Sequence, residues 1–153
     1  MEDFDPLYRH YVKPIYGFLY RRTLDTQTTE DLSSITFIKA LEKIGSFKAA
    51  KGNFSAWLYT IARNALNDHY RALRPREDIE SVWDLSSDDD VEQGVKDRLN
   101  IEKIREALKK VDGDKREIIM LRIWDELSYK EIAEITGKTE TNCKVIFCRT
   151  MES

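Results

Sequence analysis

Apolar side chains recur at helical spacing through most of this 153-residue chain, and polar stretches mark where each helix stops. Tyr8, Tyr11, Val12, Ile15, Phe18 and Leu19 form a first stripe. Asp5 is placed to cap that helix, with Pro6 at its first position, and Pro14 inside it is expected to kink or break it. After the polar connection DTQTTED, where Thr28 and Asp31 resemble a capping box, Phe37, Ala40, Leu41 and Ile44 carry a second helix to Gly45. The loop GSFKAAKGN leads to a third helix over about 55–73, stopped by Pro75, with Leu58, Ile61, Ala62, Ala65 and Leu66 inward. Periodicity then lapses over 75–98, which contains DLSSDDD and reads as a linker or partly ordered acidic segment. It returns with Leu99, Ile101, Ile104, Leu108 and Val111, stops near Gly113, and resumes behind Asp114 with Ile118, Leu121 and Arg122 on one face.

The stretch 128–149 has the signals of a helix-turn-helix. Ser128 and Glu131 make an S-x-x-E capping box, Ile132 and Ala133 follow as the buried side, and Gly137 stands where the first helix must turn. Thr139 can cap a second helix with Cys143, Ile146, Phe147 and Thr150 at helical spacing. Its opposite face carries Glu140, Thr141, Lys144, Val145 and Arg149, the placement a recognition helix needs to meet a major groove. A plain amphipathic helical hairpin would show much of the same pattern.

Composition narrows the classes. With 41% hydrophobic and 35% charged residues, six glycines and three prolines, the chain reads as all-α and soluble: two small helical bundles over 1–75 and 99–153, joined by an acidic linker over 76–98. No apolar run approaches a membrane span and MEDFDP is no signal peptide, so no membrane insertion is expected and a cytoplasmic location is the default. Cys143 and Cys148, five apart on one helix, point roughly 140° apart and cannot bridge; Cys143 reads as core. No histidine pattern accompanies them and no phosphate-binding glycine loop occurs, so no metal, cofactor, small-molecule substrate or enzymatic activity is expected.

The net charge of −3 conceals an asymmetry: residues 1–76 carry 12 basic and 8 acidic side chains, residues 77–100 carry 2 and 9, and residues 101–153 carry 11 of each. Basic charge interleaved with aromatics between Lys39 and Arg76 is a nucleic-acid footprint, against the plainer reading of a solvated charged face.

In this order of segments the chain resembles the small bacterial sigma factors of the extracytoplasmic-function type. FSAWLYTIARNALNDHYR (54–71) is similar to the family's −10 element region, TEDLSSITFIKALEKIGSF (29–47) to its polymerase-clamp helix, and DKREIIMLRIWDELSYKEIAEITGKTETNCKVIFCR (114–149) to its −35 reading domain. The resemblance implies a sigma factor that binds core RNA polymerase, directs it to promoter DNA and assists melting, with an anti-sigma factor as a further partner. It implies a −10 surface of Phe47, Lys48, Lys51, Asn53, Phe54, Tyr59, Arg63, Asn64, Asn67, Asp68, Arg71 and Arg74. The implied −35 surface is Ser128, Tyr129, Lys130, Thr139, Glu140, Thr141, Asn142, Lys144, Val145 and Arg149. The implied polymerase contact is Asp31, Leu32, Ser34, Ile35, Ile38, Lys39 and Glu42.

Bland readings stand beside some of these. Trp57 is more often core than a stacking surface, Tyr59 falls off the apolar stripe and is expected to be exposed, and Asp68 can simply pair with Arg71. Two departures from the family pattern are visible. Ser34 and Ile35 stand where it has an amide and an acid, and the chain ends at RTMES where it continues with a leucine and basic residues. The competing reading is a stand-alone helix-turn-helix regulator, in which the 54–71 helix has no role.

Overall fold

The computed structural model describes residues 4–47, 52–73, 111 and 113–152. The expected linker and the helix expected from Leu99 lie outside them, as do Lys48, Lys51 and Arg74. Six α-helices are described: α1 (Phe4–Thr23), α2 (Thr26–Lys43), α3 (Phe54–Leu73), α4 (Gly113–Ile123), α5 (Tyr129–Thr136) and α6 (Glu140–Glu152), with a 3₁₀ turn at Ile44–Ser46. The described residues contain no strand, in agreement with the all-α reading.

Ile15, Phe18 and Leu19 of α1, Leu32, Phe37 and Ala40 of α2, and Leu58, Ile61, Ala62, Ala65 and Leu66 of α3 are buried together. The same apolar cluster continues into Ile118, Leu121, Ile132, Ile135 and Cys143. Helix α4 buries five consecutive residues, Glu117 to Leu121, since Ile119 and Met120 pack in a second cluster with Ile123, Trp124 and Phe147. A helix covered on more than one side needs more than one apolar stripe.

Three local expectations are corrected. Pro14 does not break α1, which runs unbroken through it. Pro14 and His10 are both exposed, so the carbonyl deprived of its helical donor faces solvent. Asp25, not Thr28, caps α2: its Oδ2 accepts from the Thr28 amide at 2.8 Å and hydroxyl at 2.6 Å, which holds its carboxyl below the usual range. Asp5 and Asp114 lie inside the first turns of their helices, two residues further in than a cap.

Cys143 is fully buried against Thr136 as expected, while Cys148 is exposed. Burial pushes the Cys143 thiol up, so it is a poor nucleophile. Under native conditions a thiol reagent such as Ellman's is expected to modify Cys148 promptly and Cys143 only after denaturant is added. Equal rates at both cysteines would contradict this packing.

Candidate nucleic-acid and polymerase interfaces

The helix-turn-helix is held by its own caps. Ser128 Oγ accepts from the Glu131 amide at 3.1 Å, and Glu131 Oε1 accepts from the Ser128 amide at 3.0 Å. Gly137 adopts φ +76°, where a side chain would be strained, and its amide closes onto the Ala133 carbonyl at 2.9 Å. Thr139 Oγ1 accepts from the Asn142 amide at 3.0 Å and starts α6. With Cys143 anchored beneath, Glu140, Thr141, Asn142, Lys144, Val145 and Arg149 all face solvent. Ser128, Lys130 and Thr139 are exposed beside them. Tyr129 is half-buried under Arg122, whose guanidinium carbon lies 4.5 Å from the ring centroid.

At the start of α3 lies a cleft of about 550 Å³ lined by Ser46, Phe47, Gly52, Asn53, Ala56, Trp57, Thr60 and Glu134. Phe47, Phe54 and Trp57 form a ring cluster with centroids 5.2–5.5 Å apart. Trp57 is half-buried on the cleft wall rather than in the core. Asn53 Oδ1 accepts from the Ala56 amide at 3.2 Å and so caps α3.

Further along α3, Asn64, Asp68 and Arg71 are exposed, the last two 3.9 Å apart as a weak pair. The expected exposure of Tyr59 is corrected. It is 2% exposed, edge-on to Phe18 at 5.2 Å, and burial raises its hydroxyl pKa far above the usual value. Tyr59 lies at i, i+3, i+7 and i+11 with Ala62, Leu66 and Tyr70, so it widens the buried face that Ala62 and Leu66 already mark rather than falling off it. Asn67 is also buried, its amide oxygen without a hydrogen-bond partner among the described residues, so it is not at the surface in this arrangement.

On α2, Asp31, Ser34, Ile35, Ile38 and Glu42 are exposed and Lys39 half-exposed. Leu32 is corrected to the core at 4% exposure. Asp31 accepts from Gln27 at 3.0 Å. Ile35 and Ile38, 40% and 57% exposed, place two β-branched side chains in water one turn apart.

The sequence reading did not anticipate how the two halves meet. Arg21 Nη2 and Arg22 Nη2 donate to Asp125 Oδ1 and Oδ2 at 2.7 and 3.0 Å, and the Arg22 and Asp125 side chains are fully buried. Burial lowers the Arg22 pKa and Asp125 opposes that shift. Arg63 Nε donates to Glu117 Oε2 at 2.7 Å, and the Asn53 amide donates to Glu134 Oε2 at 3.1 Å.

Residues 7–76 match the family model for sigma-70 region 2, and residues 101–153 match that for sigma-70 region 4. The chain is 32% identical to the ECF RNA polymerase sigma factor BldN of Streptomyces coelicolor, covering 98% of this chain and 58% of that protein. It is 33% identical to the RNA polymerase sigma factor YlaC of Bacillus subtilis, over 89% of this chain and 80% of that one. Among solved structures it is similar to the sigma factor RpoE of Bartonella quintana, crystallised with the anti-sigma factor NepR. That match has a TM-score of 0.69 and 26% identity, covering 99% of this chain and 94% of the other. With both halves matched and a relative one-third identical, the chain belongs to the sigma-70 family of RNA polymerase sigma factors, in its extracytoplasmic-function group.

Proposed function

We propose that the chain binds core RNA polymerase through the exposed face of α2, reads a −35 element with α6, and holds the −10 element with α3 and its preceding loop. In this reading 1–75 and 99–153 are separate units joined by 76–98. The protein acts in the cytoplasm without chemistry of its own, and an anti-sigma factor is its regulatory partner. The observation that carries the reading is the pair Ile35 and Ile38, held in solvent on a helix that a stand-alone DNA-binding regulator would not require. Among the described residues no helix is long and apolar enough to cross a membrane.

The primary test is a pull-down with core polymerase followed by run-off transcription. Burying an isoleucine is worth about 1.5–3 kcal/mol, so Ile38→Glu is expected to weaken polymerase binding at least tenfold while helicity is unchanged. Ile38→Glu binding as tightly as the unmodified chain would remove α2 from the interface. Tight sequence-specific binding of duplex DNA by the isolated chain at physiological salt would instead favour the stand-alone regulator.

A further inference from the structure

The line along α6 that points straight into solvent carries small, uncharged side chains. Buried Cys143 marks the inward direction. At about 100° per residue, Thr141 and Val145 each lie about 160° from it, astride the outward line, and Cys148 lies about 140° away. Lys144 flanks this crest on one side, and Asn142 and Arg149 flank it on the other. All six side chains are exposed, Val145 at 38%. Among the described residues no hydrogen bond or ion pair engages the side chains of Lys144 or Arg149. Glu140, at the first position of the helix, lies lower on the Lys144 flank, nearer the buried side.

A helix seated in the major groove meets base edges with such a crest and the sugar-phosphate backbone with its flanks. The edges of the four bases present hydrogen-bonding groups there, and the single apolar feature among them is the C5 methyl of thymine. Val145 carries two methyl groups and neither donor nor acceptor. Against a guanine, cytosine or adenine edge it would strip water from polar groups and give them no partner, a cost that methyl against methyl avoids. Thr141 brings one methyl and a hydroxyl that suits either kind of edge. Four residues of helix rise about 6 Å, close to two base steps of about 3.4 Å, so these two side chains meet base pairs two steps apart. A lone exposed valine is ordinary on any protein surface. This one stands where a helix-turn-helix places the side chains that reach base edges, between unpaired cations that can anchor the helix on the backbone.

We propose that Val145 determines specificity: it selects a T·A pair in the −35 element through the thymine C5 methyl, with Thr141 as a second methyl-bearing contact two base pairs away. This rests on the −35 assignment of α6 made above. Removing one methyl from such a contact lowers affinity about fourfold.

The test uses the full chain with core RNA polymerase, which first selects its preferred duplex from a pool randomised through both promoter elements. Each thymine of the selected −35 segment, on either strand, is then replaced by deoxyuridine. That change removes the C5 methyl and leaves every hydrogen-bonding group in place. Closed-complex affinity is expected to fall about fourfold at the thymine that meets Val145. Val145→Ala alters an exposed position, so helicity is expected to be unchanged. It is expected to lose at least about fourfold on the thymine duplex, and to bind the thymine and deoxyuridine duplexes within about 1.5-fold of each other. If Val145→Ala keeps the full deoxyuridine penalty at every thymine, Val145 does not read the methyl and the proposal is overturned. It is overturned equally if no thymine of the selected segment responds to deoxyuridine, or if the segment holds none. Failure of the underlying assignment looks different. Scrambling the selected −35 segment, or combining Lys144→Ala with Arg149→Ala, would then leave closed complexes unchanged, and Val145 would have no base edge to read. A scrambled segment that weakens binding while deoxyuridine does not sinks the methyl contact alone.

Discussion

Leu66→Ala is expected to remove about 2–5 kcal/mol of folding stability, the range for a leucine truncated in a site that cannot fully collapse. Leu66 is fully buried in the apolar cluster shared by α1, α2 and α3. Against a total of about 5–15 kcal/mol for a domain, that loss leaves a chain close to its unfolding threshold. Leu73→Ala, seven residues on in the same helix but 63% exposed, is expected to stay within about 0.5 kcal/mol of the parent. Urea denaturation followed by far-UV circular dichroism measures both. Similar midpoints for the two variants would mean that α3 does not present the face described.

The second large effect separates the two DNA surfaces by the stage at which each fails. Thr141, Lys144 and Arg149 face solvent on α6, where an intact duplex would meet them. Alanine at each is expected to weaken closed complexes by about 1–3 kcal/mol where a base contact is lost. Asn64, exposed on α3, is assigned to strands already separated. Asn64→Ala is expected to leave closed complexes forming while thymines in the −10 region stay unreactive to permanganate, and a pre-melted template should partly restore transcription. Normal melting by Asn64→Ala would remove that residue from the single-strand surface. Asn67, at 8% exposure, is not assigned to that surface.

Local signals were legible in the sequence where the chain's own neighbours decide the outcome. The capping box at Ser128 and Glu131, the left-handed Gly137 and the Thr139 cap are settled by residues within four positions of each other, and all three form as read. The inward stripe Leu58, Ile61, Ala62, Ala65 and Leu66 is likewise a property of one helix. What the reading lost depends on partners far along the chain. Tyr59 is covered because α3 packs against more than one neighbour, and Leu32 is core because α2 turns that face toward the bundle. Arg63 reads as a phosphate ligand until Glu117, 54 residues later, is placed beside it. Helical periodicity reports which face is apolar, and has no means of saying which charged side chains will meet across two bundles.

Leu24 and Glu126 hold left-handed backbone at φ 54° and 55°, a conformation that costs a residue with a side chain about 1 kcal/mol or more. Each lies just beyond a member of the buried pair, Leu24 two residues after Arg22 and Glu126 immediately after Asp125. The two strained turns end α1 and follow α4 at the angles that bring the guanidinium and carboxylate face to face. Each turn lies within a single half, Leu24 between α1 and α2 and Glu126 between α4 and α5, so each carries its strain as a standing cost of folding that half. For protein engineering, glycine or asparagine at 24 or 126 would relieve that cost by backbone preference alone, leaving every DNA-facing and polymerase-facing side chain untouched.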